Sequence, residues 1–319
     1  MSDEALNVST LRIEVQEADA GKRLDKVVVS AFESRLGRSG ARALFEHGAV
    51  RVDGRVARKG DQARAGSVIT VASDVPLDDA AVAQPGLELD VRLEREDVVV
   101  VCKPAGMPTA PLRGGEIGTL VNALVARYPE MRAFGHSRRE PGIVHRLDTD
   151  TSGLLIAART AEAFEELVSA LRAEQIHKGY LLLCDDTDLA DSGVVEIPLC
   201  PHPKDTRRVL ACVHPRDQAR YSPRPASTSY RVLERAQGVA LVEATAPKAA
   251  RHQIRAHMAA IGHPLLGDAL YGGESARLSR HALHAYHVVW RGSASVPAFE
   301  VRDEVPQSFR ALLGADARG

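Results

Sequence analysis

The chain has 319 residues, of which 45% are hydrophobic, and carries a formal net charge of -1. That length allows about two domains and a full apolar core, so a globular protein is expected. No apolar run approaches the roughly 20 residues of a membrane span, and the opening "MSDEALNVST" lacks the basic-then-apolar order of a signal peptide; the expectation is a soluble, cytoplasmic protein.

The small net charge hides an uneven distribution. From Lys22 to Arg64 there are 11 Lys and Arg against 5 Asp and Glu, whereas Ser73 to Asp97 holds 2 against 8. A basic module followed by an acidic connector fits a polyanion-binding head beside a second body, with a solvated surface of mixed charge as the plain alternative. The four cysteines, Cys102, Cys184, Cys200 and Cys212, form no CxxC pair, which indicates neither a zinc knuckle nor a dithiol site. They are expected to be reduced and mostly buried.

In chain order, residues 21–72 read as a small α+β unit. "SGARALFEHGAV" puts Ala41, Leu44, Phe45 and Ala49 on one helical face, with Gly48 as the stop. "VRVDGRV" alternates Val50, Val52 and Val56 around Asp53-Gly54, a hairpin signal, and "GSVITVAS" reads as a closing strand. Arg38, Arg42, Arg51, Arg55, Arg58 and Lys59 cluster in this unit, a pattern suited to phosphates. Residues 74–88, rich in Pro, Gly, Asp and Ala, read as a linker.

"DVVVVCKPAG" is then a strand with apolar residues on both faces, ended at Lys103-Pro104. "TLVNALVARY" gives a one-sided helical stripe of Leu120, Val121, Leu124 and Val125. "SGLLIAART" is a strand, and "AEAFEELVSALRAEQI" a helix through Phe164, Leu167, Val168 and Leu171. "GYLLLCDD", "VALVEATA" and "HALHAYHVVW" are further strands, and residues 202–225, rich in Pro and Arg, read as a surface excursion that includes Arg207 and Arg208.

Three segments carry chemistry. In "GIVHRLDTDTSGLLIA" an ionic turn with His145, Arg146 and Asp148 sits between two apolar runs, which gives a side chain a rigid frame; Asp148 there could act as nucleophile, as base, or merely as a turn cap. In "ARHQIRAHMAAIGHPLLGDALYGG" a buried stripe of Ile254, Met258 and Ile261 turns His252 and Arg255 to another face. His252 and His257 are off one face and no Glu stands in the zincin position, so Arg255 reads better as an ion-pair partner for a carboxylate than either histidine does as a metal ligand. Tyr180, in "HKGYLLLC", is either a core residue or one facing a cleft where it could stack on a base. Walker, GxGxxG and GxSxG sequences are absent.

These segments together resemble the RluA family of pseudouridine synthases. "PGIVHRLDTDTSGLLIAART" is similar to the family signature, "DVVVVCKPAGMP" to the preceding strand and turn, "HKGYLLL" to the tyrosine segment, "HQIRAHMAAIGHPLLGDALYG" to the C-terminal arginine motif, and "RHALHAYHVVW" to the last common strand. "GKRLDKVV", "GRSGARALFEHGAVRVDG" and "GSVITV" are similar to an S4 RNA-binding domain. The resemblance implies an α+β protein: an S4-like domain over residues 10–73, the linker, and a catalytic domain over 89–319 built on a large mixed, mainly antiparallel sheet. The implied reaction is isomerisation of uridine to pseudouridine in RNA without metal or organic cofactor. Asp148 takes the place of the family's aspartate, Arg146 that of the arginine inserted where the uridine flips out, Tyr180 that of the stacking tyrosine, and Arg255 pairs with Asp148. His145, Thr151, Ser152, Lys103, His252 and Gln253 would complete the pocket, with Gly153 helping to shape the turn beneath it. Arg38, Arg42, Arg51, Arg55, Arg58, Lys59, Arg207 and Arg208 would contact RNA.

Large-subunit (23S) rRNA is the expected target and tRNA the alternative, for a monomer. One departure stands out: the family's Gly-Arg-Thr before His-Gln-Ile-Arg is Ala249-Ala250-Arg251 here. A non-catalytic RNA-binding or ribosome-assembly protein and a metal-dependent RNA hydrolase are the readings from other classes. The first is opposed by the intact Asp148, Tyr180 and Arg255, the second by the lack of ligand geometry.

Overall fold

The computed structural model describes residues 9–32, 38–46, 48–73 and 80–314. Contacts divide the chain into two compact units, one of residues 1–87 with 110–141, the other of 88–109 with 142–319.

The first unit begins with β1 (Ser9–Glu14), α1 (Leu24–Ala31) and α2 (Arg38–Glu46), followed by β2 (Val50–Val52), β3 (Arg55–Val56) and β4 (Val68–Ser73). The strands form one sheet in the order β1-β4-β2-β3, all antiparallel. Leu24, Val27 and Val28 of α1, with Ala41, Leu44 and Phe45 of α2, pack on Val50, Ile69 and Val71 of the sheet. The β2–β3 turn holds Asp53 and Gly54 at φ of 47° and 81°, the left-handed pair a two-residue hairpin needs. Arg42, Arg51, Arg55, Arg58 and Lys59 are exposed; the side chain of Arg38 and residues 74–79 of the expected linker lie outside the described residues.

In the other unit, β5 (Asp90–Glu94) and β6 (Val98–Lys103) open a nine-stranded sheet. The intervening α3 (Leu120–Arg127) belongs to the first unit and is capped by Thr119, whose hydroxyl accepts from Asn122 N–H. Instead of a one-sided stripe, Leu120 through Val125 are all buried, and Asn122 among them is tolerated because its amide is satisfied by the carbonyls of Val82 and Glu116 at 2.7 and 3.1 Å.

β7 (Ser152–Ala158), α4 (Ala161–Arg172), β8 (Ile176–Asp185) and β9 (Ser192–Val195) continue the second unit, and β10 (Leu199–Pro201), β11 (Val209–Ala211) and α5 (Pro215–Tyr221) follow. The excursion at 202–225 thus carries a hairpin strand and a helix of its own, and packs through Val209 and Ala211 on Leu199, Ala256 and Tyr271. β12 (Thr228–Ala236), β13 (Val239–Thr245), α6 (Gln253–Ala260), β14 (Leu283–Trp290), β15 (Phe299–Arg302) and α7 (Gln307–Leu313) complete the chain.

The sheet order is β5-β6-β7-β14-β8-β13-β12-β9, with β15 on β14, and its one parallel pair is β7 with β14. The fold is α+β, with a small sheet in the first unit and a large mixed, mainly antiparallel one in the second. β6 and β7 are almost wholly buried, as apolar runs on both faces require. Three cysteines are buried and Cys102 is half-buried, none in a disulfide, and the fold brings Cys200 and Cys212 Sγ to 3.4 Å. Among the described residues no helix is long and apolar enough to cross a membrane, and no group of three or more His, Cys, Asp and Glu is placed to hold a metal ion.

Candidate active site

Asp148 stands in a turn pinned on several sides. Thr109 Oγ1 accepts from Leu147 N–H at 3.2 Å and donates to Leu147 O at 2.8 Å. The Lys103 ammonium, fully buried, donates to the carbonyls of Pro104, Met107 and Thr149 at 2.8, 2.7 and 2.9 Å. Burial pulls this lysine down to about 8, against the nearby charges of Asp150 and Asp148. Lys103 therefore ties the loops together from beneath. Thr151 and Ser152 anchor the turn's far end, through Thr151 Oγ1 to His281 Nε2 at 2.8 Å and Ser152 Oγ to His284 Nδ1 at 2.9 Å. Burial pushes His281 to about 3 and His284 to about 4, so both imidazoles are neutral at physiological pH.

The guanidinium of Arg255 is divided between two carboxylates. Its Nε and Nη2 donate to Asp268 at 2.7 and 2.8 Å, a bidentate fork, which leaves Nη1 to meet Asp148 Oδ2 at 3.0 Å. Burial works against its charge, and Asp268 and Asp148 more than offset this, so Arg255 is raised above its ordinary value. The Arg255 side chain is 6% exposed and that of Asp268 1%, whereas Asp148 keeps 25%. One carboxylate is locked in the core, and the other is held by the same cation yet open to solvent. α6 is buried from Gln253 to Met258, so Arg255 lies in the interior and not on a separate solvent face.

Tyr180 belongs to one row of paired residues across the sheet: Lys103, Gly153, Ala285, Tyr180, Ala244 and Tyr230. Small residues flank the tyrosine on both sides, and Gly153 is required for this. Its φ is +113°, and a Cβ there would lie 2.1 Å from Ala285 O. Burial first, and the charge of Asp148 second, raise the Tyr180 phenol, which is protonated at neutral pH.

The remaining residues divide clearly. Arg146 is exposed beside Asp148. His145 Nε2 accepts from Ile156 N–H at 3.1 Å, and burial, then the Lys178 charge, push the imidazole to about 3. His252 Nε2 lies 3.6 Å from Asp148 Oδ2, and its Nδ1 meets Tyr271 OH at 3.1 Å. Gln253 turns elsewhere, donating to Ser227 O at 2.8 Å and accepting from Ala250 N–H at 3.0 Å. Arg207 pairs with Asp205 on the surface, and Arg208 lies over the Tyr271 ring at 5.3 Å. Arg251 holds the β10–β11 loop through the carbonyls of Thr206 and Arg207 at 3.0 and 2.7 Å. Asp268, Tyr271, His281 and His284 were not singled out from sequence. The only signal for Asp268 is the need of a buried arginine for a compensating carboxylate, which does not say which aspartate answers it.

A profile of the family described as RNA pseudouridylate synthase matches residues 97–260. "Ribosomal large subunit pseudouridine synthase D" of Xanthomonas campestris pv. campestris is 33% identical over 329 residues, covering 98% of this chain and 95% of that protein. An "Uncharacterized RNA pseudouridine synthase" of Chloroflexus aurantiacus is 37% identical over 287 residues, covering 89% and 87%. The solved structure "Human RNA Pseudouridylate Synthase Domain Containing 1" shares the fold with a TM-score of 0.53 at 22% identity, over 74% of this chain and 98% of that one. A clamped yet open carboxylate, the matching profile and relatives aligned over nearly the full length lead to one conclusion: this chain belongs to the RNA pseudouridylate synthase family, with an RluA-type catalytic domain.

Proposed function

We propose that this enzyme isomerises uridines of large-subunit (23S) ribosomal RNA to pseudouridine, acting as a cytoplasmic monomer, with Asp148 as the reacting carboxylate. The observation that carries the assignment of Asp148 is its geometry: its carboxylate lies 3.0 Å from a buried arginine while its side chain is still a quarter exposed. The target rests on relatives named for the large ribosomal subunit, among them those of Xanthomonas campestris pv. campestris and Yersinia pestis.

Substrate and product are isomers. The N1–C1′ bond breaks, a C5–C1′ bond forms, the C5 proton leaves and N1 gains one. No electrons are exchanged with another molecule, so the reaction needs no redox cofactor. A uridine in folded RNA must leave its stack first, at a cost of a few kcal/mol. Arg146, exposed beside Asp148, fills the vacated position, and its planar cation stacks on bases while reaching phosphate. Tyr180 stacks on the everted uracil, and Arg255 keeps the Asp148 carboxylate oriented. The basic N-terminal unit serves as an S4-like RNA-binding domain, with exposed Arg42, Arg51, Arg55, Arg58 and Lys59 on phosphates.

Carbodiimide mapping of pseudouridine in cellular RNA, with and without the gene, tests the target. A site lost from large-subunit rRNA supports it, and one lost only from tRNA replaces it. Replacing Arg55, Arg58 and Lys59 together by Glu is expected to lower the slope of log affinity against log salt by about 2. An unchanged slope would remove this unit from the RNA contact.

A further inference from the structure

Two residues before Tyr180, on the same face of β8, stands a lysine whose charge reaches His145 but which has been given no role of its own. Lys178 is 9% exposed. No hydrogen-bond or ion-pair partner meets its ammonium among the described residues, and its lowering to about 8 has burial as its only cause. Lys178 lines a cavity of about 480 Å³. Ile176, Pro247 and Trp290 supply apolar walls, Thr245 a hydroxyl, and Arg291 a second cation at the rim. The carboxylate of Glu174, also on the rim, is paired with Lys248 at 2.9 Å. A buried cation without a counter-charge is costly to a fold, and a bound anion removes that cost.

We propose that this cavity receives the nucleotide adjoining the everted uridine, with a phosphate oxygen of the RNA backbone on Lys178 and the base against Pro247, above the apolar floor that buried Trp290 supplies. This rests on the reading that the substrate strand crosses the face carrying Asp148 and Tyr180. The volume suits one nucleotide, and two residues along a strand span roughly 6.6 Å, which keeps the lysine within a single nucleotide step of Tyr180. Phosphate is the anion that any RNA substrate brings, and Trp and Pro surfaces accept a base of any sequence.

The test compares the full-length wild type with Lys178→Met and Lys178→Arg, using large-subunit RNA and tRNA transcripts. The methionine variant is expected to raise KM about tenfold with kcat within about twofold, to weaken binding equally across sequences, and to lower the salt slope by about 0.7. The arginine variant should recover the slope. The methionine variant should melt no lower than wild type, since a partnerless buried charge has been removed; a lower melting temperature would make Lys178 structural and overturn the proposal. Acetylation of Lys178 by a soluble acylating reagent, read by mass spectrometry, should be suppressed by RNA. Equal acetylation with and without RNA, or an unchanged slope, overturns it as well. If the wild type modifies only tRNA while Lys178 is protected and the slope moves, the large-subunit assignment fails and the cavity assignment stands.

Discussion

Asp148 and Asp268 share one guanidinium, yet their removal should have opposite signatures. Asp148→Ala leaves Arg255 still held by the Asp268 fork, so the fold is expected to persist while pseudouridine formation disappears and RNA affinity is retained. Asp268→Ala strips the bidentate partner from a side chain that is 6% exposed, and breaking a buried pair of this kind costs about 3–5 kcal/mol. Urea unfolding of the two variants, alongside carbodiimide detection of the product, separates the effects. Undiminished product from Asp148→Ala would take this carboxylate out of the chemistry, and equal stability of the two variants would mean that Asp268 is not the anchor. His252, 3.6 Å from Asp148, is lowered by burial first, which the Asp148 charge opposes, so it enters the site at neutral pH as an uncharged neighbour.

At the scale of elements, the parallel pairing of β7 with β14 builds the site, because it sets Thr151 and Ser152 against His281 and His284 and places Gly153 between Lys103 and Ala285. Gly153→Ala brings a methyl into the Ala285 backbone at a φ that L residues rarely adopt. The two strands must separate, with an expected loss of at least about 3 kcal/mol by chemical denaturation and a matching loss of activity as Tyr180 shifts. Wild-type stability in this variant would show that the strands can part freely there. α6 teaches a related lesson. Its Ile254 and Met258 stripe was legible in sequence, but His257 is buried as well, between Thr228 Oγ1 at 2.9 Å and Ile197 O at 2.8 Å, as is Arg255. A polar residue reads as surface until its partners are known, and those partners come from β12, the loop before β10, the turn before β7 and the loop after α6.

For the molecule as a whole, neutral buried histidines predict sensitivity to acid. His145 and His281 are held near 3 and His284 near 4, each chiefly by burial, against about 6.5 in an unfolded chain. Below pH 6.5 the unfolded chain therefore binds three protons that the folded one refuses, so stability falls as pH falls. The slope should approach about 4 kcal/mol per pH unit near pH 5, falling to about 1 at pH 7 and vanishing above about pH 8. Urea midpoints at pH 7.5, 6 and 5 check this; equal stability at 7.5 and 5 would mean that His145 and His281 are solvated, or that Asp303, 3.2 Å from His284 Nε2, holds that ring's proton.

The sequence by itself determined the secondary elements with strong local periodicity, the basic character of the N-terminal unit and the ionic turn at Asp148, since each is written in neighbouring residues. It did not determine β1, β5, β9, β10, β11, β12 or β15, which gain their identity from pairing. Tertiary structure alone decided that Arg255, 107 residues from Asp148, is oriented by Asp268, that Gly153 must lack a side chain, and that Lys178 opens on a cavity. Such facts depend on which groups meet across the sheet and how much water remains around them, quantities that no single stretch of chain contains.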